Sequence, residues 1–278
     1  MARQRLGQHF LADADWREQI AREIGVSPHT SLQRPASAAA ASVDSYCWIE
    51  IGAGHGEMTE HLLSTGAQVI AIELDAPLAA RLEKQAKKIS NLKVVHGDVL
   101  ETDVAALAAG RRIRLYGNLP YYITSPILHR FFAFADLIDE IHIVIQEEVA
   151  HRLTAKPETK QFGYLSVVTQ LYTRPEFVLR IPRSAFSPPP EVGSALVTLR
   201  LPGERAKRKL ASEEVFLDFV KLCFSQKRKT LVNNLRSLAN PDAIREILVA
   251  QNLRPDARAE QISVSQFASL QMALAKNS

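Results

Sequence analysis

Short apolar runs alternate with longer stretches of helical periodicity along the first half of this 278-residue chain. Such runs are typical of strands that are buried on both faces of a sheet. Five of them are separated by helical patterns, and they occupy residues 49–51, 69–72, 92–96, 113–116 and 140–145. The alternation predicts a twisted, mostly parallel sheet with flanking helices that extends to about residue 152.

The pattern changes after that sheet. Two further strand-like runs, 176–181 and 195–199, are joined by a proline-rich connection, and we expect them to pair antiparallel. Beyond residue 202 the periodicity is helical, with Ser212 as a good N-cap followed by Phe216 and Phe219 at helical spacing. The chain is therefore expected to form an α/β domain over residues 1–202 and a small helical domain over residues 203–278.

Polar or glycine residues follow four of the predicted parallel strands. They are the loop Gly52-x-Gly54-x-Gly56, Glu73, Asp98 and Asn118. Parallel α/β sheets bind ligands at the carboxyl ends of their strands, so these residues are expected to form one site. An acid about 20 residues after a glycine loop binds ribose hydroxyls, which predicts that role for Glu73, while Asp98 could accept from an adenine amine.

The acids around the glycine loop limit the classes of ligand that could bind there. The loop spacing differs from the G-x-G-x-x-G of dinucleotide sites, and Glu50 and Glu57 flank it. Two carboxylates would repel a pyrophosphate, whereas they suit a ligand that carries an ammonium and a sulfonium group.

The tetrapeptide Asn118-Leu119-Pro120-Tyr121 carries the clearest chemical signal. Asn118 offers a side-chain acceptor, and Leu119 precedes a proline, which favours extended geometry and an outward carbonyl. Pro120 has no N–H that could pair with that carbonyl, and Tyr121 adds an aromatic face. Two acceptors bonded to the exocyclic amine of a flat base would localise its lone pair and make it a nucleophile. A strand that ends in an ordinary Asn-x-Pro turn is the alternative interpretation.

At this point the chain closely resembles the ribosomal RNA adenine dimethyltransferases, which use S-adenosylmethionine to place two methyl groups on adenine N6. The resemblance covers nearly the whole chain, and its motifs beyond those above are RLGQHFL at 5–11, IQEEVA at 145–150, FGYLS at 162–166, FSPPPEVGSA at 186–195 and FSQKRKTL at 224–231. It implies a Rossmann-like S-adenosylmethionine-dependent methyltransferase sheet with a C-terminal helical domain.

The resemblance also assigns roles to individual residues. It implies that the cofactor is contacted by His9, Leu11, Gly52, Gly54, Glu73, Asp98 and Asn118. It implies a catalytic site formed by Asn118, Leu119, Pro120, Tyr121 and Phe186, in which Tyr121 and Phe186 sandwich the target adenine. The implied substrate is two adjacent adenosines near the 3′ end of the rRNA of the small ribosomal subunit, or of its assembly precursor, and the protein is expected to act as a monomer. Between Val26 and Cys47, where the family usually has a short connection, this chain carries the low-complexity residues 32–42, which predict a mobile loop.

Charge is distributed unevenly. Residues 203–278 hold 13 Lys and Arg against 8 Asp and Glu, so the net charge of +4 is concentrated in the C-terminal part. Five basic residues and no acids stand between 221 and 236, namely Lys221, Lys227, Arg228, Lys229 and Arg236. A cluster of this kind attracts phosphate backbones through counterion release, although it can also be a solvated helix face. Beside a base-methylating site, it favours RNA contact.

Composition agrees with an enzyme of the cytoplasm. Cys47 and Cys223 are expected to be core thiols rather than a disulfide, and no metal site is expected, because His55 and His96 have no second ligand at metal spacing. No apolar stretch approaches the length of a membrane span, so no membrane partner is expected.

Three alternatives remain open on the sequence. They are a dimethyltransferase that acts on large-subunit rRNA, a DNA adenine methyltransferase that shares the Asn-x-Pro-Tyr logic, and a non-catalytic RNA-binding assembly factor. The choice of RNA over DNA, and of two methyl groups over one, rests on the family resemblance.

Overall fold

The computed structural model describes residues 9–27, 43–207, 210 and 212–276. The first residues of the RLGQHFL motif and the predicted loop at 32–42 lie outside the described residues. The described chain divides into two compact units. The first comprises residues up to Ala150 together with Glu176–Leu201, and the second comprises His151–Pro175 together with the residues from Pro202 onward.

A seven-stranded sheet forms the centre of the first unit. Its strands, in spatial order, are β4 (Leu92–His96), β3 (Gln68–Glu73), β2 (Tyr46–Ile51), β5 (Arg112–Asn118), β6 (Ile138–Gln146), β9 (Ser194–Arg200) and β7 (Arg174–Ile181). The neighbours from β4 to β6 pair parallel, and β9 pairs antiparallel with β6. The predicted strands are confirmed, as is the mostly parallel sheet.

The helices of the first unit follow the strands. They are α1 (Ala14–Glu23), α2 (Glu57–Leu63), α3 (Ala76–Ala86), α4 (Val104–Ala108), α5 (Thr124–Phe132) and α6 (Glu147–Leu153). The start of α3 shows how the sequence fixes their ends: Asp75 caps it by accepting from the N–H of Leu78, and Pro77 lies in its first turn, where a missing N–H costs nothing. Each of β2, β3, β4 and β5 is followed by a helix that returns the chain to the edge of the sheet where the next parallel strand begins.

The strand order places a switch point between β2 and β5. From β2 the chain proceeds outward through β3 and β4, and then crosses back to β5 on the other side of β2. The loops after β2 and β5 therefore separate at the carboxyl edge of the sheet and leave a crevice there. Gly52 and Asn118 stand on the two sides of that crevice.

A second, two-stranded sheet ties the start of the chain to the proline-rich connection. β1 (Phe10–Leu11) pairs antiparallel with β8 (Phe186–Ser187), with Phe10 opposite Ser187 and Leu11 opposite Phe186. The segment His9–Leu11 is called the strap below.

The second unit is helical. It contains α7 (Tyr164–Tyr172), α8 (Glu213–Cys223), α9 (Leu231–Leu235), α10 (Pro241–Ala250) and α11 (Val264–Lys276). Ser212 caps α8 by accepting from the N–H of Val215, as its sequence predicts. Cys47 and Cys223 are buried free thiols, each in the core of its own unit. Among the described helices, none has the length and apolar character that crossing a membrane requires.

The expected domains, 1–202 and 203–278, differ from the two units in one segment. His151–Pro175 belongs with the C-terminal helices, because the buried face of α7, which includes Val167, Val168 and Leu171, packs against α8 and α11.

Candidate active site

The glycine loop after β2 packs against the ring of Phe10 at Gly54. Gly52 and Gly54 have φ angles of +66° and +57°, which L side chains rarely adopt. A Cβ at Gly54 would come within 3.1 Å of the Phe10 ring, whereas a Cβ at Gly52 would meet nothing within 4 Å. Phe10 of the strap therefore backs the loop at Gly54, and open space remains beside Gly52.

Glu73 ends β3 and is held by two backbone groups. Its Oε2 accepts from the N–H of Gly54 at 2.8 Å, and its Oε1 accepts from the N–H of Asp75 at 2.9 Å. A carboxylate offers about four acceptor positions, so both oxygens can still accept from ligand hydroxyls. The two bonds fix the direction in which the remaining lone pairs point.

Asp98 follows β4 and combines a structural contact with an available oxygen. Its Oδ1 accepts from the N–H of Leu100 at 2.8 Å, which closes a tight turn. Within the described residues no donor bonds to its Oδ2. That oxygen can accept from an amine of a ligand.

Glu50 lies beneath the loop rather than on its surface. Only 2 % of it is exposed, and its Oε2 accepts from the Thr59 hydroxyl at 2.6 Å. Burial raises the pKa of Glu50 to about 8. The hydrogen bond from Thr59 lowers this pKa, and the negative charges of Glu73 and Glu57 raise it by smaller amounts. Burial therefore favours the neutral form of this carboxyl.

Asn118 and Leu119 present two acceptors side by side. The Asn118 side chain donates through Nδ2 to the carbonyl of His9 at 2.8 Å, and its Oδ1 has no donor among the described residues. The N–H of Leu119 donates to Val144 at the end of β6, while no described donor bonds to the Leu119 carbonyl. Pro120, which lacks an N–H, follows directly. The expected pair of free acceptors is present.

Tyr121 is fixed at its hydroxyl and along its ring. The hydroxyl lies 2.8 Å from Oγ of the buried Ser194, and the ring stacks on that of His9 with centroids 5.8 Å apart. Nδ1 of His9 in turn lies 2.8 Å from the carbonyl of Pro188, so it carries the proton of that bond. Burial raises the pKa of Tyr121, and the phenol stays neutral at pH 7.

Part of this set lines one cleft at the carboxyl edge of the sheet, while Gly54 and Asp98, which were expected to contact the cofactor, are not among its lining residues. Its walls are His9, Phe10, Gly52, Glu73, Asn118, Leu119, Pro120 and Tyr121. The enclosed part of the cleft is small, about 50 Å³.

Other expected site residues lie behind these walls. Leu11 and Phe186 are buried opposite each other in the β1–β8 pair, with Phe186 only 4 % exposed. The expected sandwich of an adenine between Tyr121 and Phe186 stays a prediction, because the Phe186 ring is covered in this structure.

Sequence reasoning missed two residues at this edge. Phe10 lines the cleft and also lies 5.0 Å from the His55 ring, measured between centroids. Leu74 directly follows Glu73 and is 46 % exposed, which is unusual for a leucine that leaves a buried strand. The signal in each case was an apolar residue next to a residue already singled out.

The five basic residues expected to contact RNA, Lys221, Lys227, Arg228, Lys229 and Arg236, lie in the second unit and are all exposed. Lys227, Arg228 and Lys229 lie in the turn between α8 and α9, not on a helix face. Lys227 donates to the carbonyl of Lys160 at 3.3 Å. None of the five makes an ion pair within the described residues, whereas Arg245 and Arg254 are neutralised by Asp242 and Asp256.

Comparison with known proteins gives consistent matches over the whole chain. A family model described as ribosomal RNA adenine dimethylase matches residues 1–276. The ribosomal RNA small subunit methyltransferase A of Koribacter versatilis is 35% identical, covering 98% of this chain and 94% of that protein. The protein of the same name from Xanthomonas campestris pv. campestris is 38% identical, covering 96% and 94%.

Two solved structures match at the level of the fold. The 23S rRNA methyltransferase ErmE has a TM-score of 0.69 at 25% identity and covers 96% of this chain and 99% of its own. A dimethyladenosine transferase from Plasmodium falciparum has a TM-score of 0.73 at 22% identity, with 96% and 98% covered.

Proposed function

The chain belongs to the ribosomal RNA adenine dimethylase family, a family of S-adenosylmethionine-dependent methyltransferases, and we propose that it dimethylates N6 of two adjacent adenosines near the 3′ end of small-subunit rRNA. The observation that carries the proposal is the pair of free acceptors, Asn118 Oδ1 and the Leu119 carbonyl, at the wall of the cleft. The names of the full-length relatives support the small-subunit choice.

The chemical groups at this edge of the sheet fit the cofactor of the family. Gly52 leaves open space beside the backbone, the lone pairs of Glu73 can take ribose hydroxyls, and Oδ2 of Asp98 can take the adenine amine. S-Adenosylmethionine supplies an electrophilic methyl group on a positively charged sulfur. Only a glycine fits at position 54 without a close contact, because the Phe10 ring occupies the space where a Cβ would lie.

Asn118 and Leu119 would prepare the target base. In the first transfer the amine can donate both of its N–H groups to these two acceptors, which turns its lone pair away from the ring and raises its nucleophilicity; in the second transfer the single remaining N–H can donate to one of them. In each transfer the methyl group would pass to the nitrogen as its bond to sulfur breaks, and the nitrogen would then lose a proton to water. Preorganised acceptors of this kind need no rearrangement during the reaction. The neutral phenol of Tyr121 provides a stacking face without adding a charge, and Ser194 fixes its tilt.

The second unit would bind the RNA backbone. Unpaired cations at 221, 227–229 and 236 release counterions when they meet phosphates, which gives affinity without sequence preference. We propose that the substrate is the small-subunit rRNA or its assembly precursor, that the protein acts as a monomer, and that it works in the cytoplasm.

The test is a comparison of substrates. The protein is incubated with labelled S-adenosylmethionine and, separately, with unmethylated small subunits, large subunits and duplex DNA. We expect label in small-subunit rRNA only, recovered as dimethyladenosine by mass analysis of the nucleosides. Label in large-subunit rRNA or in DNA would show that one of these is the substrate instead. Absence of label in all three would favour a non-catalytic binding role.

A further inference from the structure

Tyr122 is an exposed aromatic side chain beside the candidate cleft. Its exposed fraction is 63 %, and the other large apolar side chains that are exposed in the described part of the chain are aliphatic. The described residues give it neither a hydrogen bond nor a ring contact. The ring is therefore free to bind a ligand.

The backbone that carries this ring is firmly held. Tyr121–Ile123 form a single 3-10 turn between β5 and α5. The turn is anchored on one side by the bond from Tyr121 to Ser194. On the other side α5 buries Ile127, Leu128 and Phe131 in the core. Tyr122 thus combines a fixed position with an open aromatic face, which is the arrangement that binding sites favour.

Tyr122 cannot serve the same base as Tyr121. A 3-10 helix has three residues per turn, so adjacent side chains point about 120° apart. Tyr121 lines the cleft, whereas Tyr122 is not among the lining residues and its side chain is exposed to solvent. The two Cα atoms are nevertheless only about 3.8 Å apart.

We propose that Tyr122 stacks on the nucleobase adjacent to the one held in the cleft, and this rests on the proposed function. The neighbour of a base that has been drawn into the cleft is only one phosphodiester away, so it must lie at the mouth. Every base has a π face, so an aromatic platform binds the neighbour without reading its identity. In a substrate with two adjacent target adenosines, the base on Tyr122 is the other target.

This placement explains why an aromatic side chain stands where solvent would favour a polar one. Stacking also holds the strand in an extended path with the target base out of the stack, which single-stranded RNA recognition requires. Tyr122 is therefore a substrate-positioning residue for tandem modification.

The experiment uses the full chain and a hairpin RNA whose loop contains two adjacent adenosines. Binding is measured by fluorescence anisotropy for wild type, Tyr122→Ala, Tyr122→Leu and Tyr122→Phe. Loss of one stacked base should weaken binding about five- to 150-fold for Tyr122→Ala. Tyr122→Phe should bind like wild type, and Tyr122→Leu should bind like Tyr122→Ala. Val249→Ala, which removes an exposed side chain from α10, is the control and should change nothing.

A second RNA makes the assignment specific. In this RNA the nucleotide beside the target is abasic, so the platform has nothing to stack on. Wild type should lose affinity for it, and Tyr122→Ala should bind it as wild type does. If wild type prefers the intact RNA and Tyr122→Ala binds intact RNA equally well, Tyr122 is not the platform while the proposed function stands. If wild type binds the intact and the abasic RNA equally well, or binds neither, the platform falls, while the proposed function is decided separately by methyl transfer to small subunits.

Discussion

The side-chain amide of Asn118 donates to the carbonyl oxygen of His9, with 2.8 Å between Nδ2 and the oxygen. A carbonyl can only accept, so this bond decides which end of the amide faces the strap and leaves Oδ1 free. The strap is paired with β8, and the His9 ring contacts both Tyr121 and Pro188. A segment 109 residues away in the chain thereby sets the direction of the acceptor at the end of β5.

The role of the strap in orienting Asn118 can be tested by comparing the loss of the His9 ring with the loss of the His9 backbone carbonyl. His9→Ala keeps the carbonyl and loses the bond to Pro188, worth about 1 kcal/mol, so single-turnover transfer should fall roughly fivefold. Deletion of residues 1–9 removes the carbonyl as well, and the Asn118 amide is then free to turn. We expect the deletion to cost substantially more than His9→Ala; equal rates for the two variants would show that the carbonyl does not orient Asn118.

Glu73 should determine cofactor affinity. Glu73→Ala is expected to weaken binding of S-adenosylhomocysteine by about 1.5–3 kcal/mol, the range for hydrogen bonds to a charged group. The variant also leaves the N–H of Gly54 without its acceptor, so its melting temperature must be measured alongside calorimetry. Glu83→Ala changes the same charge on the exposed face of α3 and should bind normally. Unchanged affinity in Glu73→Ala would mean that the ligand lies elsewhere.

The buried carboxyl of Glu50 should make stability depend on pH. Its pKa is about 8 when folded and near 4.5 when exposed, so the folded state holds one more proton between these values. Stability gained from the neutral form is present below about pH 4.5 and is lost as pH rises toward 8. Glu50→Gln cannot ionise and can still accept from Thr59. The melting temperature of this variant, relative to that of wild type, should therefore rise as pH increases from about 4.5 to 8. Parallel curves for the two proteins would show that Glu50 is already ionised.

Much of the first unit could be predicted from the sequence because its parallel strands are rich in apolar residues and β2 to β5 each end at or just before a glycine, acid or amide. The β1–β8 pair could not, because two-residue strands carry no periodic signal and pair across most of the chain. The covered state of Phe186 follows from that pair and was equally invisible. Helix α7 shows a similar limit: its apolar density predicts burial, but not the unit whose core it joins.

The turn between α8 and α9 should contribute phosphate contacts. Changing Lys227, Arg228 and Lys229 to Gln should weaken RNA binding and leave cofactor affinity constant. The slope of log affinity against log salt should shrink by about 2–3 units, near 0.7–0.9 for each lost contact. Changing Lys84, Lys87 and Lys88, exposed on the other unit, removes the same charge and is the control. An equal change of the salt slope in both triple variants would show that the turn contributes only long-range electrostatic attraction and no phosphate contacts.

The most direct test of the central claim is single-turnover methyl transfer by Asn118→Ala to unmethylated small subunits, with mass analysis of the nucleosides. Removing an acceptor that acts on the reacting amine should slow formation of dimethyladenosine by about 10²–10³, the range for one preorganised transition-state contact. RNA affinity and melting temperature should stay close to wild type, because Asn118 is an uncharged residue of the cleft wall and is not one of the basic residues expected to contact phosphates. A rate within a fewfold of wild type, at normal affinity, would contradict the assignment of Asn118 as the residue that holds the target amine.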